Sequence, residues 1–372
     1  MDFILGKPIR VQPYFGYRST SRLVITARAL RSAKPGYDTA GRLRTMRTML
    51  STFASREEPG LPVELELKSP DGSVARHSAT GDREGFVRFD LPLEPEWKLP
   101  QNTSWETVTL RWTNREGPQE VEGYVLVPGR DTAVGVISDI DDTIIETGIT
   151  GGLRSVARNW KRVLAQMPGE RDMVTGAQSF YGTLGGGKVL PGGDGAGQRI
   201  EATHRPFFYV SSSPWNLFSY LVAFQRSRGL PLGPLLLRDW GLNRATFGSG
   251  SHGAHKSGAI DAVLAMYPDI RFALIGDDTQ GDLPAYADVV TQNPGRVAAV
   301  FIRKAASEPL SPEELAGKAA IEEAGVPLWL GESYEIGQDF LAAAGVHAHG
   351  ETAQIVETVE AVGKQADGEA EA

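Results

Sequence analysis

The sequence predicts an α/β domain built on a parallel sheet, preceded by an antiparallel β-sandwich. Three observations carry this. AVGVISDI, FFYVSSS, FALIGDD and VAAVFIR are short, near-continuous apolar runs that end in polar residues. Helical patterns, PWNLFSYLVAFQRSRG and HKSGAIDAVLAMYPD, lie between them, and buried strands alternating with helices imply a parallel sheet covered on both faces. Before about residue 130 the chain holds only short, partly alternating apolar runs with no long helices between most of them, the pattern of an antiparallel sandwich.

Taken in order, LVITARAL, VELELKS, GFVRFDLPL, ETVTLRWT and EVEGYVLV read as strands, with SPDGS and NREGPQ as turns. GRLRTMRTMLSTFASRE breaks the pattern. Leu43, Met46, Leu50 and Phe53 recur at helical spacing with Arg42, Arg44 and Arg47 among them. The simpler reading is a helix packed on the sandwich; the alternative is a basic amphipathic helix lying on anionic lipid. After residue 305, SPEELAGKAAIEEAG has Ser311 as N-cap, Pro312 at the first helical position and Glu314 completing a capping box. ETAQIVETVEAVGK is a second candidate helix. The expected organisation is a sandwich over residues 1–130, the α/β domain over 131–305, a helical extension over 306–365 and a disordered acidic tail over 366–372.

The chain has 372 residues, enough for two domains. No apolar stretch is long enough to span a bilayer, and the N-terminus lacks the basic and apolar regions of a secretory signal. There are no cysteines, which excludes disulfides, thiolate zinc sites and thiol catalysis and suits a reducing cytoplasm. Net charge is −8, but residues 1–56 hold eleven Lys/Arg and two acids, +9, leaving −17 for the rest. That asymmetry points the N-terminal part toward an anionic surface. A peripheral membrane contact is therefore considered, no nucleic-acid partner is expected, and protein partners are not indicated.

GTLGGGKV, residues 182–189, nearly fits the phosphate-loop pattern, but Val189 replaces the hydroxyl that would hold magnesium and no helix follows. A loop beside the active site is the better reading. His204, His252 and His255 show no metal-ligand spacing. Trp160, Trp215 and Trp240 read as packing residues, with Trp215 the best exception because it follows the serine run.

The chemistry gathers at strand ends. In VISDIDDTII an apolar run carries Asp139, Asp141 and Asp142 within four positions, a costly arrangement if buried unless something pairs with them; either the run ends there in a solvated turn or a cation is expected. FFYV ends at residues 211–213, all serine, and FALI runs into Gly276, Asp277 and Asp278. In parallel sheets the active site lies at the carboxyl ends of the strands, so these residues are expected to converge. Ser213 is expected to cap the following helix with Pro214 in its first position, leaving Ser211 for the site. Lys256 opens a helical pattern.

SDIDDTI followed by ETGITGG, then YVSSSPWNL, LRDWG, HKSGAI and LIGDDTQGD, resembles the haloacid-dehalogenase superfamily of phosphatases, and within it the actin-patch phosphatidate phosphatase catalytic-domain family, relatives of the lipins. The resemblance covers residues 133–303. It implies a haloacid-dehalogenase-like, Rossmann-type parallel sheet and magnesium-dependent hydrolysis of a phosphomonoester. By the resemblance Asp139 is the nucleophile that becomes an aspartyl-phosphate, and Asp141 is the general acid and base. By the same resemblance magnesium would be held by Asp139, the main chain of Asp141, and Asp277, with Asp278 as a rival to Asp277. Thr143, Ser211, Ser212 and Lys256 would bind the phosphate, Lys256 also neutralising it. Asp282 and Asp278 would support from behind, and Asp142 would be an outer neighbour. No second αβ pattern lies between Thr143 and Ser211, so a large cap is not expected, and Arg154, Arg158, Lys161 and Arg162 either attract an anionic headgroup or form a solvated helix face. The leading substrate is phosphatidate, an anionic phospholipid, converted to diacylglycerol by a cytoplasmic enzyme working at the membrane surface. The alternatives are a soluble phosphate ester, or a degenerate domain that only binds lipid or protein.

Overall fold

The computed structural model describes residues 6–31, 56–69, 71–140, 143–144, 173–189, 200–238, 250–305 and 308–334. The basic segment expected as a helix lies outside them except for Arg56 and Glu57, which form strand, not helix. ETAQIVETVEAVGK, the acidic tail and most of the stretch between Thr143 and Ser211 also lie outside.

Nine strands make the N-terminal part: β1 (Ile9–Pro13), β2 (Gly16–Arg18), β3 (Arg22–Arg31), β4 (Arg56–Glu57), β5 (Pro62–Lys68), β6 (Val74–Thr80), β7 (Phe86–Pro92), β8 (Ser104–Asn114) and β9 (Gly117–Val127). Hydrogen bonds join them in one sheet of order β1-β3-β2-β9-β8-β5-β6, with β4 and β7 also paired to β3. The pairs are antiparallel except β2 with β9. All five strands read from the sequence are present. Alternation explains why they were legible: Val63, Leu65 and Leu67 of β5 and Val108, Leu110 and Trp112 of β8 face one apolar cluster. β6, with the sequence VARHSAT, is exposed along most of its length, so it lacks that signature.

The main sheet of the second part is all parallel. β10 (Val134–Ser138), β13 (Phe207–Pro214), β14 (Leu235–Arg238), β15 (Arg271–Asp277), β16 (Val297–Arg303) and β17 (Leu328–Gly331) form a six-stranded sheet of order β14-β13-β10-β15-β16-β17. Alternate residues feed two apolar clusters. Val136, Tyr209 and Ile275 pack with Phe180, Leu221 and Phe224. Ile137, Phe208 and Leu274 pack with Ile260, Leu264 and Leu283. Those partners come from α1 (Ala177–Gly185) and α2 (Phe218–Ser227) on one face, and α3 (Gly250–Met266) and α4 (Asp282–Gln292) on the other. Burial on both faces is why these strands read as continuous apolar runs rather than alternating ones. The last helix, α5 (Pro312–Glu323), carries the expected capping box of Ser311 and Glu314.

Two local expectations change. Pro214 closes β13 in extended conformation, and a 3₁₀ helix (Trp215–Leu217) precedes α2 with no side-chain cap, so Ser213 is not an N-cap. The Ser213 N–H instead donates to Ser211 Oγ at 2.9 Å, which makes Ser211 the organiser of that turn. Residues 182–189 finish α1 and then pair through β11 (Lys188–Val189) with β12 (Ala202–Thr203). They lie beside Phe207, where β13 begins, because a Cβ on Gly185 would stand 3.5 Å from the Phe207 ring. Ser211 is toward the other end of β13, so this glycine run does not line the aspartates.

Candidate active site

The register of β10 sets the geometry. Ser138 stands opposite Tyr209 of β13 and Ile275 of β15. Asp139 therefore emerges one residue past the paired strand, at the same end as Ser211 and Asp277, each two residues beyond its register partner. The Asp139 N–H still donates to Ile275 O at 2.8 Å, which pins the turn to β15. Behind it, the Ser138 hydroxyl donates to the Asp139 carbonyl and lies 2.6 Å from the Tyr181 hydroxyl of α1.

Asp139, Asp277 and Asp282 are fully buried, and each offers an oxygen within 4.8 Å of the others. Lys256, in the second turn of α3 rather than at its start, reaches into the same space and is 1% exposed. Its ammonium lies 2.9 Å from Asp139 Oδ1 and donates to Asp282 Oδ1. The other Asp282 oxygen accepts the Asp277 N–H at 3.1 Å. Asp282 is thus committed on both oxygens to holding Lys256 and the Asp277 backbone.

Two glycines permit this. A Cβ on Gly276 would lie 2.4 Å from the Asp282 carboxylate, so only glycine lets the end of β15 come that close. Gly281 has φ +76° as the residue before α4, a left-handed conformation that glycine adopts without strain. It turns the chain so that Asp282 starts the helix and points back.

Asp277 accepts hydrogen bonds on both oxygens. Thr143 Oγ1 donates to Oδ2 at 3.0 Å. The Thr279 N–H donates to Oδ1 at 2.6 Å, and the Thr279 hydroxyl donates to the same atom. Burial, then the Asp282 charge, push the Asp277 carboxyl up to about 7 against the pull of Lys256 and Thr279. Burial draws the Lys256 ammonium down, but Asp139, Asp282 and Asp277 outweigh it and hold it well above the usual lysine range. The donor set consists of hard carboxylate oxygens converging from the ends of two adjacent strands and the start of α4, which fits magnesium.

Of the residues expected at the site, Asp139, Thr143, Lys256, Asp277 and Asp282 are in mutual contact through these bonds. Ser211 and Ser212 are buried at the same end of the sheet. Asp278 turns away from the cluster, its Oδ1 accepting the Ala305 N–H at 2.7 Å, so Asp277 rather than Asp278 faces the other carboxylates. Asp141 and Asp142 lie outside the described residues, as do the side chains of His252 and His255. Thr279, Gly276, Ser138 and Tyr181 were not anticipated. The first two sit within the quoted run LIGDDTQGD and could have been found there; the Ser138–Tyr181 pair has no local signal.

Comparison with known proteins adds four findings. Residues 134–304 match the family model described as Phosphatidate phosphatase APP1, catalytic domain. The Phosphatidate phosphatase APP1 of Saccharomyces cerevisiae is 31% identical over 256 residues, which is 68% of this chain and 39% of that protein. An uncharacterized protein of Schizosaccharomyces pombe is 26% identical over 239 residues, 63% of this chain and 36% of that protein. The chain thus spans well under half the length of both relatives. Among solved structures, the β-glucuronidase of Bifidobacterium dentium gives 10% identity over 87% of this chain and 53% of that one, with a TM-score of 0.26, a likeness that carries no argument.

Proposed function

Residues 134–304 belong to the phosphatidate phosphatase APP1 catalytic-domain family, and from that premise we propose that this chain is a magnesium-dependent phosphatase that hydrolyses phosphatidate to diacylglycerol and phosphate. The observation that carries the proposal is the buried set Asp139, Asp277, Asp282 and Lys256 at the carboxyl ends of adjacent parallel strands. Three carboxylates and one ammonium leave an excess of negative charge in a buried place, which a divalent cation offsets.

In this reading Asp139 and Asp277 would hold the ion, and the family resemblance adds the main chain of Asp141 to them. Magnesium would supply a Lewis acid for a phosphate oxygen. An Asp139 carboxylate oxygen attacks phosphorus, the bond from phosphorus to the ester oxygen breaks, and Asp141 gives its proton to the leaving alkoxide. Water then attacks the aspartyl-phosphate, Asp141 takes its proton, and the bond from phosphorus to Asp139 breaks to release phosphate. Lys256 balances charge on the nucleophile and on the transferred group. Ser211 and Ser212, with Thr143, position the phosphate oxygens. Thr143 and Thr279 hold the Asp277 carboxylate, and Asp282 holds Lys256.

We further read the parallel-sheet unit as haloacid-dehalogenase-like and uncapped, covering residues 131–305, and the nine-stranded unit as a sandwich closed around its own apolar cluster. No helix among the described residues is long and apolar enough to cross a membrane. In this reading a lipid substrate is met at the cytoplasmic surface of the bilayer. The test is phosphate release from phosphatidate in mixed micelles and from soluble esters, with magnesium or with chelator. Asp139→Asn should abolish magnesium-dependent release while the folded circular dichroism spectrum persists. Wild-type turnover by this variant would remove Asp139 from its role, and preference for soluble esters would remove phosphatidate.

A further inference from the structure

The segment that follows the three serines is gripped almost residue by residue by the N-terminal sheet. Trp215 packs on Tyr14 with ring centres 4.5 Å apart, and on Phe86 at 6.0 Å. Asn216 Oδ1 accepts from Arg28 Nη1 at 2.6 Å. Phe218 meets the Tyr14 ring edge-on at 4.8 Å, and the Ser219 hydroxyl accepts from Gln12 Nε2 at 2.9 Å. Tyr14 and Phe86 lie in the same apolar cluster as Leu217 and Phe218, so the core of the parallel-sheet unit is completed by residues of the other unit.

Arg28 is the centre of this grip. It is buried, and its guanidinium is spent on three fixed partners. Nε donates to Glu84 O at 3.0 Å, Nη2 to Glu57 Oε1 at 3.1 Å and Nη1 to Asn216. Its carbon centre lies 4.5 Å above the Phe86 ring. A planar guanidinium held on one face by a ring and on its edges by three acceptors has one orientation. The only partner it has in the parallel-sheet unit among these is Asn216, three residues after Ser213. Between them stand Pro214, which has a fixed φ, and Trp215, which is stacked.

We propose that Arg28 and Asn216 are positioning residues for the serine turn, so that the N-terminal sheet sets the phosphate-binding geometry of the site rather than serving only as an appended module. The proposal rests on the function given above in assigning phosphate binding to Ser211 and Ser212. Physically, hydrogen bonds weaken steeply as distance and angle depart from their optimum, so a displaced serine turn holds phosphate less well in the bound ester and in the transition state alike. The Arg28–Asn216 contact lies within five residues of Ser211 and Ser212, and none of the contacts that make the grip is to Asp139, Asp277 or Lys256.

The test uses the full chain with Arg28→Met, Asn216→Ala, the double variant, and Asn216→Asp, which keeps an acceptor for Arg28. The first readout is calorimetric binding of inorganic phosphate in the presence of magnesium, which needs no turnover. The second is KM against kcat for the ester that the wild type hydrolyses. We expect Arg28→Met and Asn216→Ala each to weaken phosphate binding and raise KM by roughly tenfold with kcat little changed, the pattern of lost uniform binding. The double variant should be no worse than either single one, because both remove the same contact, and Asn216→Asp should behave like the wild type. Phosphate binding and KM at wild-type values in folded Asn216→Ala would overturn the proposal even if Arg28→Met failed to fold. So would single effects that multiply in the double variant. A wild type that binds phosphate but hydrolyses nothing would sink the enzymatic reading and leave the positioning test standing.

Discussion

The Lys256 ammonium lies 2.9 Å from the Asp139 carboxylate, with the two side chains 1% and 0% exposed. A buried pair is favourable only when its geometry is good and its remaining polar atoms are satisfied. Here a second carboxylate, Asp282, accepts from the same ammonium, and Asp282 is itself held by the Asp277 N–H. Lys256→Met keeps the volume and removes the charge. Breaking a buried pair on one side typically costs about 3–5 kcal/mol, so its urea midpoint in chelator should fall well below the wild type. Phosphate release should drop by about a hundredfold or more, since loss of one positioned charge donor has that scale. A variant with near-normal turnover would show that Lys256 is only structural.

Thr143 reaches from the turn after β10 to Asp277 at the end of β15, 3.0 Å from hydroxyl to carboxylate. The bond joins the two strands that are to share the ion. Thr143→Val is nearly isosteric but takes the donor away. Groups that orient a metal ligand typically contribute ten- to a hundredfold in affinity. The magnesium concentration for half-maximal phosphate release should therefore rise by roughly tenfold or more, and Thr143→Ser should restore it. An unchanged magnesium titration for Thr143→Val would sever this link.

Acid stability is a separate matter, decided in the N-terminal sheet. Asp82 Oδ1 accepts the N–H groups of Glu84 and Phe86, both at 2.9 Å, and its other oxygen accepts from Arg88. Burial works against its charge, but Arg88 and the two N–H groups outweigh that, so its carboxyl lies below the usual range. A depressed carboxylate contributes stability that is present above its unfolded pKa of about 4 and lost as pH falls through the folded value. Asp82→Asn keeps the turn's acceptor and removes the charge. The gap in urea midpoint between wild type and variant should be present at neutral pH and close below about pH 4. Both partners are substantially exposed, so the gap should stay under about 1 kcal/mol. A gap that persists unchanged in acid would assign it to the turn and not to the charge.

The parts of the fold that were legible are those whose burial is periodic. β10, β13, β15 and β16 are buried along nearly their whole length, and the sequence shows it. β6 is exposed and β17 only four residues long, so neither stands out. The convergence of Asp139, Ser211 and Asp277 was legible because parallel strands deliver their ends to one place. The commitment of Asp282 to Lys256 and the Asp277 N–H is a matter of angstroms, set by the absence of a Cβ on Gly276. Arg28 and Asn216 are 188 residues apart, and no local pattern announces a contact across that separation.

Ion binding should be visible without turnover. Asp139, Asp277 and Asp282 bring three carboxylates within 4.8 Å against one ammonium; burial and the Asp282 charge push the Asp277 carboxyl up to about 7, so folding without a cation bears the full repulsion only above that pH, where the melting should be followed. A ligand that binds only the folded state stabilises it by mass action, about 2.7 kcal/mol at a hundredfold excess over its dissociation constant. Magnesium should therefore raise the melting temperature of the wild type, and chelator should reverse it. Asp277→Asn removes one charge from the cluster. It should melt higher than the wild type in chelator, because the repulsion is relieved, and gain little from magnesium, because a ligand is lost. Those opposite shifts separate a metal site from an ordinary buried cluster. If Asp277→Asn lowers the melting temperature in chelator and still responds fully to magnesium, Asp277 is neither a repelled carboxylate nor a ligand, and the ion would have to be sought elsewhere in the chain.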